Sequence, residues 1–385
     1  MNVEISVEGV ICLKFTKIYF VEKLANIIDQ LEILAPPSLQ ESYDNSGLIT
    51  GSRDMSITGA LICLDSTESI IDEAIKSGCN LVIAHHPIVF SGIKKLNGKN
   101  YVERTIIKAI KNDIAIYAIH TNLDNVQDGV NKVICERLGL KNTSILVPKS
   151  GVLKKLVTYC PVNQADNLRT ALFSAGAGSI GNYDECSFSS NGTGTFRGNE
   201  SSNPAVGLKG VRHHEEESRL EVIFESHKVN DVLKALRSSH PYEEIAYEIY
   251  TIDNQYNKIG SGMIGELESP LGVNDFLSHL KTTMQTGCIR YTSVKKPAIK
   301  RIAVCGGSGS FLLDAAIKSG ADAFVTADFK YHQFFDAEGK LLIADIGHYE
   351  SEQFTKELIY NFLNRKFTTF ALRLSEINTN PINYF

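Results

Sequence analysis

The sequence LVIAHHP, which runs from Leu81 to Pro87, gives the clearest indication of how this chain folds. Its first four residues are all apolar, and they lead directly into two histidines and a proline. A run that is apolar at every position is typical of a strand in a parallel sheet, because helices cover both faces of that sheet. Ligands of such sheets bind at the carboxyl ends of the strands. His85 and His86 are therefore either structural residues at a strand end or part of a ligand site, and histidine is the commonest metal ligand.

The composition of the 385-residue chain limits both its architecture and its partners. Its length predicts two or three domains, and 43% hydrophobic with 22% charged residues is typical of a globular protein. A net charge of -5 provides no basic surface for phosphates, so we expect no direct nucleic-acid partner. No apolar run reaches the ~18 residues that span a membrane, so we expect no membrane segment. The eight cysteines form no CxxC pair, which is typical of a reducing compartment and predicts a cytoplasmic protein.

Strands and helices alternate on both sides of the LVIAHHP stretch. Strands are predicted near residues 60–64 and 114–119, and helices near 67–77 and 102–111. This alternation predicts βαβ units and a mostly parallel sheet. We therefore assign residues 16–148 to a first α/β lobe, and residues 1–15 to an N-terminal extension without an assigned role.

Residues 149–258 differ from the first lobe, because they contain more glycine and serine and alternate less regularly. Their predicted order is strand, helix, strands, helix and strand, which is typical of a ferredoxin-like α+β module. The module is predicted to be an insert rather than an added domain, because the α/β pattern resumes after it.

The remaining part of the chain, residues 259–385, repeats the first lobe. Leu61–His86 and Ala303–Asp328, aligned without gaps, share eight identical residues in 26 positions, including the run Ala-Ile-Lys-Ser-Gly. Such internal similarity predicts two similar α/β lobes with mostly parallel sheets. The strand that corresponds to the histidine strand ends in Ala327 and Asp328, so the βαβ unit itself does not require histidines there.

Three further residues at predicted strand ends carry metal-binding side chains. Asp124 follows a strand of the first lobe, and His348 and Glu352 follow a strand of the second. Residues four apart in a helix share one face, so His348 and Glu352 point in the same direction. Taken alone, Asp124 is also explained as a cap for the helix predicted at 130–138, and the other two as an exposed ion pair.

In combination these residues predict a metal site to which both lobes contribute. The five expected ligands are His85, His86, Asp124, His348 and Glu352. Three imidazoles and two carboxylates are too many for one tetrahedral zinc ion that also keeps a water. They suit two divalent metal ions bridged by a carboxylate and by water. Nitrogen and oxygen donors are compatible with zinc, iron or manganese.

Three other residues are candidates for a catalytic role beside the ligands. They are His120, Asp328 and His332, which would orient ligands or transfer protons.

Three further segments resemble known functional motifs, but a structural role explains each of them better. Gly260–Gly265 matches GxGxxG, but no helix is predicted after it, so the dinucleotide interpretation fails. The backbone amides of Cys305–Phe311 could hold an anion, although the segment lacks the lysine of a phosphate loop and a tight turn explains it better. His213–Glu217, HHEEE, is predicted to be a solvated turn rather than a metal site.

Five motifs resemble those of the dinuclear metal-centre proteins of the YbgI and YqfO type, also called NGG-interacting-factor-three-like. They are PPSLQESYDNSGL at 36–48, HHP at 85–87, HTNLD at 120–124, GHYESE at 347–352 and INTNPI at 377–382. The resemblance extends from residue 17 onward, and NYDECSF and HPYEE in the insert resemble the long, YqfO form. Many bacterial members of this family carry the name GTP cyclohydrolase 1 type 2 homolog.

The resemblance implies a fold of two α/β lobes that form one metal-binding domain, interrupted by an insert related to the PII and CutA modules. It also implies a toroidal homohexamer with a two-metal site that faces the internal cavity. The family's ligand positions fall on the same five residues that the strand ends indicate.

We therefore expect a metal-dependent hydrolase that acts on a small molecule, a nucleotide or a related heterocycle, through a metal-activated bridging water. Opening of the GTP ring is the specific version that the family name implies. The alternative is a non-catalytic metal-binding scaffold or regulator, whose PII-like insert senses a small ligand or a protein partner.

Overall fold

The structure is a computed structural model that describes residues 20–385. The extension predicted at residues 1–15 lies outside the described residues. In chain order, the strands of residues 20–385 are β1 (Glu22–Lys23), β2 (Gly47–Thr50), β3 (Ser56–Ile57), β4 (Ala60–Asp65), β5 (Leu81–His86), β6 (Ala115–Ala118), β7 (Lys141–Lys149), β8 (Leu153–Pro161), β9 (Ser187–Arg197), β10 (Arg212–Glu225), β11 (Tyr247–Ile252), β12 (Tyr256–Gly272), β13 (Arg290–Tyr291), β14 (Ala298–Ser308), β15 (Ala323–Ala327), β16 (Leu342–Asp345) and β17 (Leu372–Leu374).

Helices connect most of these strands. In chain order, the α-helices of residues 20–385 are α1 (Leu24–Leu34), α2 (Glu68–Ser77), α3 (Tyr101–Lys111), α4 (Thr121–Asp124), α5 (Val130–Arg137), α6 (Ala165–Ser174), α7 (Val229–Ser239), α8 (Val273–Thr283), α9 (Leu313–Lys318), α10 (His348–Glu352) and α11 (Thr355–Lys366). Short 3-10 helices lie at Pro37–Leu39, Val162–Gln164, Ser226–Lys228, Ser310–Leu312 and Tyr331–Ala337.

The described residues form two compact units. One contains residues 20–147 and 260–385, and the other contains residues 148–259. Two separate parts of the chain thus build the first unit, which contains both α/β lobes.

The first lobe is built on a five-stranded sheet with the order β17-β4-β5-β6-β2. Neighbours from β17 to β6 run parallel, and β2 is antiparallel to β6. Within β5, Leu81 and Ile83 face one hydrophobic core, while Val82 and Ala84 face another. Helices therefore cover both faces of this strand, which explains its uninterrupted apolar run and confirms the predicted parallel strand.

The second lobe is built on a six-stranded mixed sheet with the order β13-β16-β15-β14-β12-β7. Its three central strands, β14, β15 and β16, run parallel, while β13 and β12 are antiparallel to their neighbours. Strands β14 and β15 contain the residues that the repeat aligns with β4 and β5. The repeat therefore corresponds to a parallel βαβ unit that is present once in each lobe.

One hydrophobic core joins the two sheets. Its buried residues come from one face of each sheet and from helices α1, α5, α8 and α11 between them. Helices α2 and α3 cover the other face of the first sheet, and α9 packs on the other face of the second. The shared layer of helices fixes the strand ends of one lobe relative to those of the other.

The second unit is a ferredoxin-like α+β module. Its elements follow the order β8-α6-β9-β10-α7-β11, and its antiparallel sheet has the order β11-β8-β10-β9. Leu168 and Leu172 of α6 and Leu236 of α7 pack with Leu220 of the sheet. The prediction of a solvated turn at 213–217 was wrong, because these residues lie inside β10 and pair with β9. All five residues are polar, so the segment lacks the alternation of apolar and polar residues that identifies a strand in a sequence.

The second unit is inserted between two neighbouring strands of the second sheet, β7 and β12. A Cβ atom built on Gly265 would lie 2.9 Å from Thr143, and one on Gly262 would lie 3.5 Å from Leu146. Residue numbers thus rise along one strand as they fall along the other, so β7 and β12 are antiparallel.

Neither a membrane helix nor a disulfide occurs in the part of the chain that the structure describes. None of its helices is both long and apolar enough to cross a bilayer. The cysteines at positions 63, 79, 135, 160, 186, 288 and 305 all carry free thiols.

Tyr117 of β6 provides a test of the core that joins the lobes. Its side chain is buried, and its hydroxyl has no hydrogen-bond partner among the described residues. A buried polar group without a partner costs stability, so Tyr117→Phe should raise the free energy of unfolding by about 1 kcal/mol. Tyr117→Ala, which leaves a cavity, should lower it by about 3–5 kcal/mol. Denaturant titration measures both, and a loss of stability in Tyr117→Phe would show that the hydroxyl is hydrogen-bonded.

Candidate metal centre

His85, the penultimate residue of β5, is completely buried. Its Nδ1 atom lies 2.8 Å from the carbonyl oxygen of Ile119 and donates to it. This bond places the ring proton on Nδ1 and the lone pair on Nε2. Among the described residues, Nε2 has no hydrogen-bond partner. A buried imidazole lone pair that faces other ligand atoms without a partner is typical of a metal ligand.

His86 ends β5 and is held from the neighbouring strand. In the parallel register of β4 and β5, His86 lies beside Asp65, and its Nδ1 atom is 2.7 Å from Asp65 Oδ1. Its Nε2 atom therefore points away from the sheet, 2.9 Å from Oε2 of Glu352. Carboxylate–histidine pairs of this kind orient imidazole ligands in metal sites.

His348 is held in the same way in the second lobe. It begins the short helix α10, and its Nδ1 atom lies 2.7 Å from Oδ2 of Asp328, which follows β15. Asp328 has a φ of 59°, a left-handed conformation that few residues other than glycine adopt. Strained backbone of this kind is concentrated at functional sites. The Nε2 atoms of His348 and His86 face each other at 3.4 Å.

His120 is the fourth histidine of the cluster. Its Nδ1 atom lies 2.7 Å from Oδ1 of Asp44, whose other oxygen accepts hydrogen bonds from the backbone and side chain of Thr121. The His120 ring centroid is 5.3 Å from that of His85 and 5.4 Å from that of His86. The structure thus brings the predicted catalytic candidate His120 next to the predicted ligands.

Glu352 lies between the histidines of the two lobes and is only 3% exposed. Its Oε2 atom is 2.9 Å from Nε2 of His86 and 3.1 Å from Nε2 of His348. Its Oε1 atom is 3.8 Å from Nε2 of His85. The two oxygens of one carboxylate therefore face two different sets of nitrogen donors.

Asp124 adds a second carboxylate beside His85 and Glu352. Its Oδ1 atom lies 3.7 Å from Nε2 of His85, and it is buried without a hydrogen-bond partner among residues 20–385. The cap position of the following helix, α5, belongs to Gly129. The structure therefore does not support helix capping as the explanation of Asp124.

These side chains form three overlapping groups whose ligand atoms lie within 4.8 Å of one another. The groups are His85, His86 and His120; His86, His348 and Glu352; and His85, Asp124 and Glu352. The structure thus brings the five predicted ligands together, and the two buried atoms without partners, His85 Nε2 and Asp124 Oδ1, fit a bound cation.

The electrostatics of the cluster also favour a cation. Burial alone would lower the pKa of His86, but its hydrogen bonds with Asp65 and Glu352 raise that pKa to about 9. The charge of Glu352 raises the pKa of His348 to about 11. Burial and the same charge raise the pKa of Asp124 to about 7. Without a metal ion, protons on the histidines balance the carboxylates, so a divalent ion that binds here must displace protons.

Gly307 leaves room for Glu352. It lies at the end of β14 with a φ of 60°, and a Cβ atom at this position would be 2.4 Å from Oε1 of Glu352 and 3.2 Å from the His348 ring. Its amide donates to the Ser351 hydroxyl, and the amide of Gly306 donates to Asn131. These two amides of the glycine-rich stretch therefore contribute to packing around α10 and do not face an anion.

His332 lies apart from these groups. Its exposed ring packs against the rings of Tyr331 and Phe335, at centroid distances of 5.2 and 6.4 Å. Of the three predicted catalytic candidates, the structure therefore brings His120 and Asp328 to the cluster and leaves His332 on the surface.

Asp65 and Asp44 are the functional residues that sequence reasoning missed. Asp65 ends the strand before β5, so a parallel register would have placed it beside His86. Asp44 lies in the SYDNSGL loop, and its contact with His120 depends on how that loop packs, for which the sequence carries no periodic signal.

Comparisons with known proteins agree with this fold. Residues 22–381 match the family model described as Duf34/NIF3 (NGG1p interacting factor 3). A protein of Halalkalibacterium halodurans with the name GTP cyclohydrolase 1 type 2 homolog is 38% identical over 94% of this chain and all of its own length. The crystal structure of a Bacillus cereus protein related to NIF3 has a TM-score of 0.83 and 35% identity, and the match covers 95% of this chain and all of that one. Staphylococcus aureus protein SA1388 has a TM-score of 0.75 and 31% identity, covering 94% and 99% of the two chains.

The chain is therefore a member of the Duf34/NIF3 family. Its fold is that of the family's NIF3-related crystal structures, and its cluster of histidines and carboxylates provides groups that could hold a metal.

Replacement of Gly307 tests the space beside Glu352. Gly307→Ala should weaken metal binding at least ~10-fold, because the new methyl group displaces the Glu352 carboxylate. Gly320→Ala is a matched control, since Gly320 also has a positive φ, 76°, but a Cβ atom there meets nothing within 4 Å. Competition with a chromogenic chelator measures the affinity of both variants. Equal affinity in the two variants would show that the Gly307 contact does not matter.

Proposed function

We propose that this protein is a metal-dependent hydrolase with two divalent metal ions in the cluster, acting on a nucleotide or a related heterocycle. The observation that carries the proposal is the position of Glu352. One of its oxygens faces His86 and His348, and the other faces His85. A carboxylate in this position is suited to bridge two ions.

Two groups of three donors would hold the ions. They are His86, His348 and Glu352 for one ion, and His85, Asp124 and Glu352 for the other. Three protein ligands per ion leave positions open, as catalytic metal sites require. The nitrogen and oxygen donors suit zinc, iron or manganese.

The chemistry of such a site explains why hydrolysis is the proposed reaction class. Metal ions held in pairs lower the pKa of a bound water toward neutrality and polarise the bond under attack. The protein's own residues would contribute orientation and proton transfer. Asp65 and Asp328 hold the rings of His86 and His348, and His120, held by Asp44, is placed to transfer a proton.

The proposed substrate class rests on the family. Curated relatives from Halalkalibacterium halodurans and Bacillus subtilis carry the name GTP cyclohydrolase 1 type 2 homolog. The family resemblance of the motifs also favours a toroidal homohexamer whose metal sites face the internal cavity, and the scattered cysteines favour a cytoplasmic location.

The second candidate function is a metal-binding scaffold or regulator. The observation that favours it is the separate ferredoxin-like unit at residues 148–259, which has its own hydrophobic core. A PII-like unit of this kind would sense a small ligand or a protein partner without any turnover at the metals.

Metal content tests the assignment of ligands. Elemental analysis of the protein purified with its metal should give about two transition-metal ions per chain, by the donor argument above. His348→Ala should reduce that number, because it removes one of three donors to one ion. His332→Ala is the matched control, since it removes an exposed histidine of the same lobe and should leave the content unchanged. Full metal content in His348→Ala would exclude His348 as a ligand.

Turnover distinguishes the two candidate functions. The metal-loaded protein should hydrolyse at least one compound in a panel of nucleotides and phosphoesters. Chromatography of the reaction mixtures measures the products. His86→Ala and Asp124→Ala should abolish that activity, because each removes a donor to a different ion. Ligand binding without metal-dependent turnover across the panel would favour the scaffold and contradict the hydrolase.

A further inference from the structure

The segment that follows β17 is held firmly against the first lobe. The backbone amide of Ser375 donates to the carbonyl oxygen of Ile62 in β4, and its hydroxyl donates to Glu73 of α2 at 2.5 Å. Lys356 of α11 donates to the carbonyl oxygen of Ser375. These contacts hold Ser375 against β4, α2 and α11, a few residues before the part of the segment that contacts the cluster.

Thr379 of this segment binds the carboxylate that orients His86. Its hydroxyl lies 2.5 Å from Oδ2 of Asp65, whose other oxygen, Oδ1, is 2.7 Å from Nδ1 of His86. The Nε2 atom of the same ring faces Glu352. A continuous chain of hydrogen bonds therefore runs from the C-terminal segment to the centre of the site.

The next residue contacts the other lobe. The side-chain amide of Asn380 donates to Oε1 of Glu350 at 3.1 Å. Glu350 is 5% exposed and lies in α10, the helix that also provides His348 and Glu352. Two adjacent residues thus bind one carboxylate of each lobe: Asp65, which holds the ring of His86, and Glu350, which belongs to the same helix as His348 and Glu352.

We propose that Thr379 is a positioning residue for the metal centre, and that it acts on His86 through Asp65. The Asp65 side chain is 33% exposed, so water competes for its oxygens. While the Thr379 hydroxyl occupies Oδ2, the carboxylate cannot rotate without losing that bond, and Oδ1 stays aligned with His86. Without the hydroxyl, both Asp65 and the imidazole gain rotational freedom, and His86 is less well prepared to bind an ion.

This inference rests on the proposed metal centre, and metal affinity tests it independently of activity. Thr379→Val keeps the shape of the side chain but removes the hydroxyl, and it should weaken binding of one ion about tenfold. Thr379→Ser restores the hydroxyl and should restore the affinity. Competition titrations with a chromogenic chelator, using cobalt as the probe, measure each variant. Thermal unfolding of the metal-free protein checks that all variants fold equally well.

A double-mutant cycle shows whether the effect passes through Asp65. In an Asp65→Ala background, Thr379→Val should have no further effect on cobalt affinity, because the intermediate group is absent. An unchanged affinity in Thr379→Val alone, or an equal loss in both backgrounds, would overturn the proposal. Failure of the wild-type protein to bind cobalt would instead overturn the metal centre itself, and this inference with it.

Discussion

The hydrogen bond that fixes the Nδ1 atom of each histidine is the constraint on which the candidate metal centre depends. Each ring of the cluster donates from Nδ1, and the acceptors are Ile119 for His85, Asp65 for His86, Asp44 for His120 and Asp328 for His348. This sets one tautomer and one orientation, so that every Nε2 atom is available to a common ligand. The parallel sheets provide three of the four partners, because Ile119, Asp65 and Asp328 each end or follow a strand whose parallel neighbour leads to the histidine. Asp44 comes instead from the loop before β2. The order of strands thus sets the orientation of three of the four rings.

Bringing these groups together without a cation is unfavourable. Buried carboxylates require a compensating charge or hydrogen bonds, and both Glu352 and the Oδ1 atom of Asp124 are buried. The lobes hold the cluster because the helices between them belong to one continuous core. Stability of that core offsets the cost of bringing the histidines and carboxylates of the cluster together.

The sequence predicts those parts of the fold and site that follow from periodicity and internal repetition. An uninterrupted apolar run identifies β5 and places His85 and His86 at its end, and the repeat identifies β15 as the counterpart of β5. The repeat also aligns Asp65 with Gly307, but Asp65 holds the ring of His86, whereas Gly307 leaves room for Glu352. Roles of this kind depend on register and on loop packing, which no pattern along the chain records. The segment 213–217 misled prediction for the opposite reason, because a strand that is polar on both faces resembles a loop.

The antiparallel pairing of β7 and β12 has a consequence for the history of the chain. Two neighbouring antiparallel strands normally need only a tight turn between them, and here the whole ferredoxin-like unit occupies the place of that turn. A folded domain whose ends lie close together can be accepted at such a position at little entropic cost. Gain or loss of the unit in evolution would leave the cluster of histidines and carboxylates in place, because all of its residues lie in the other unit.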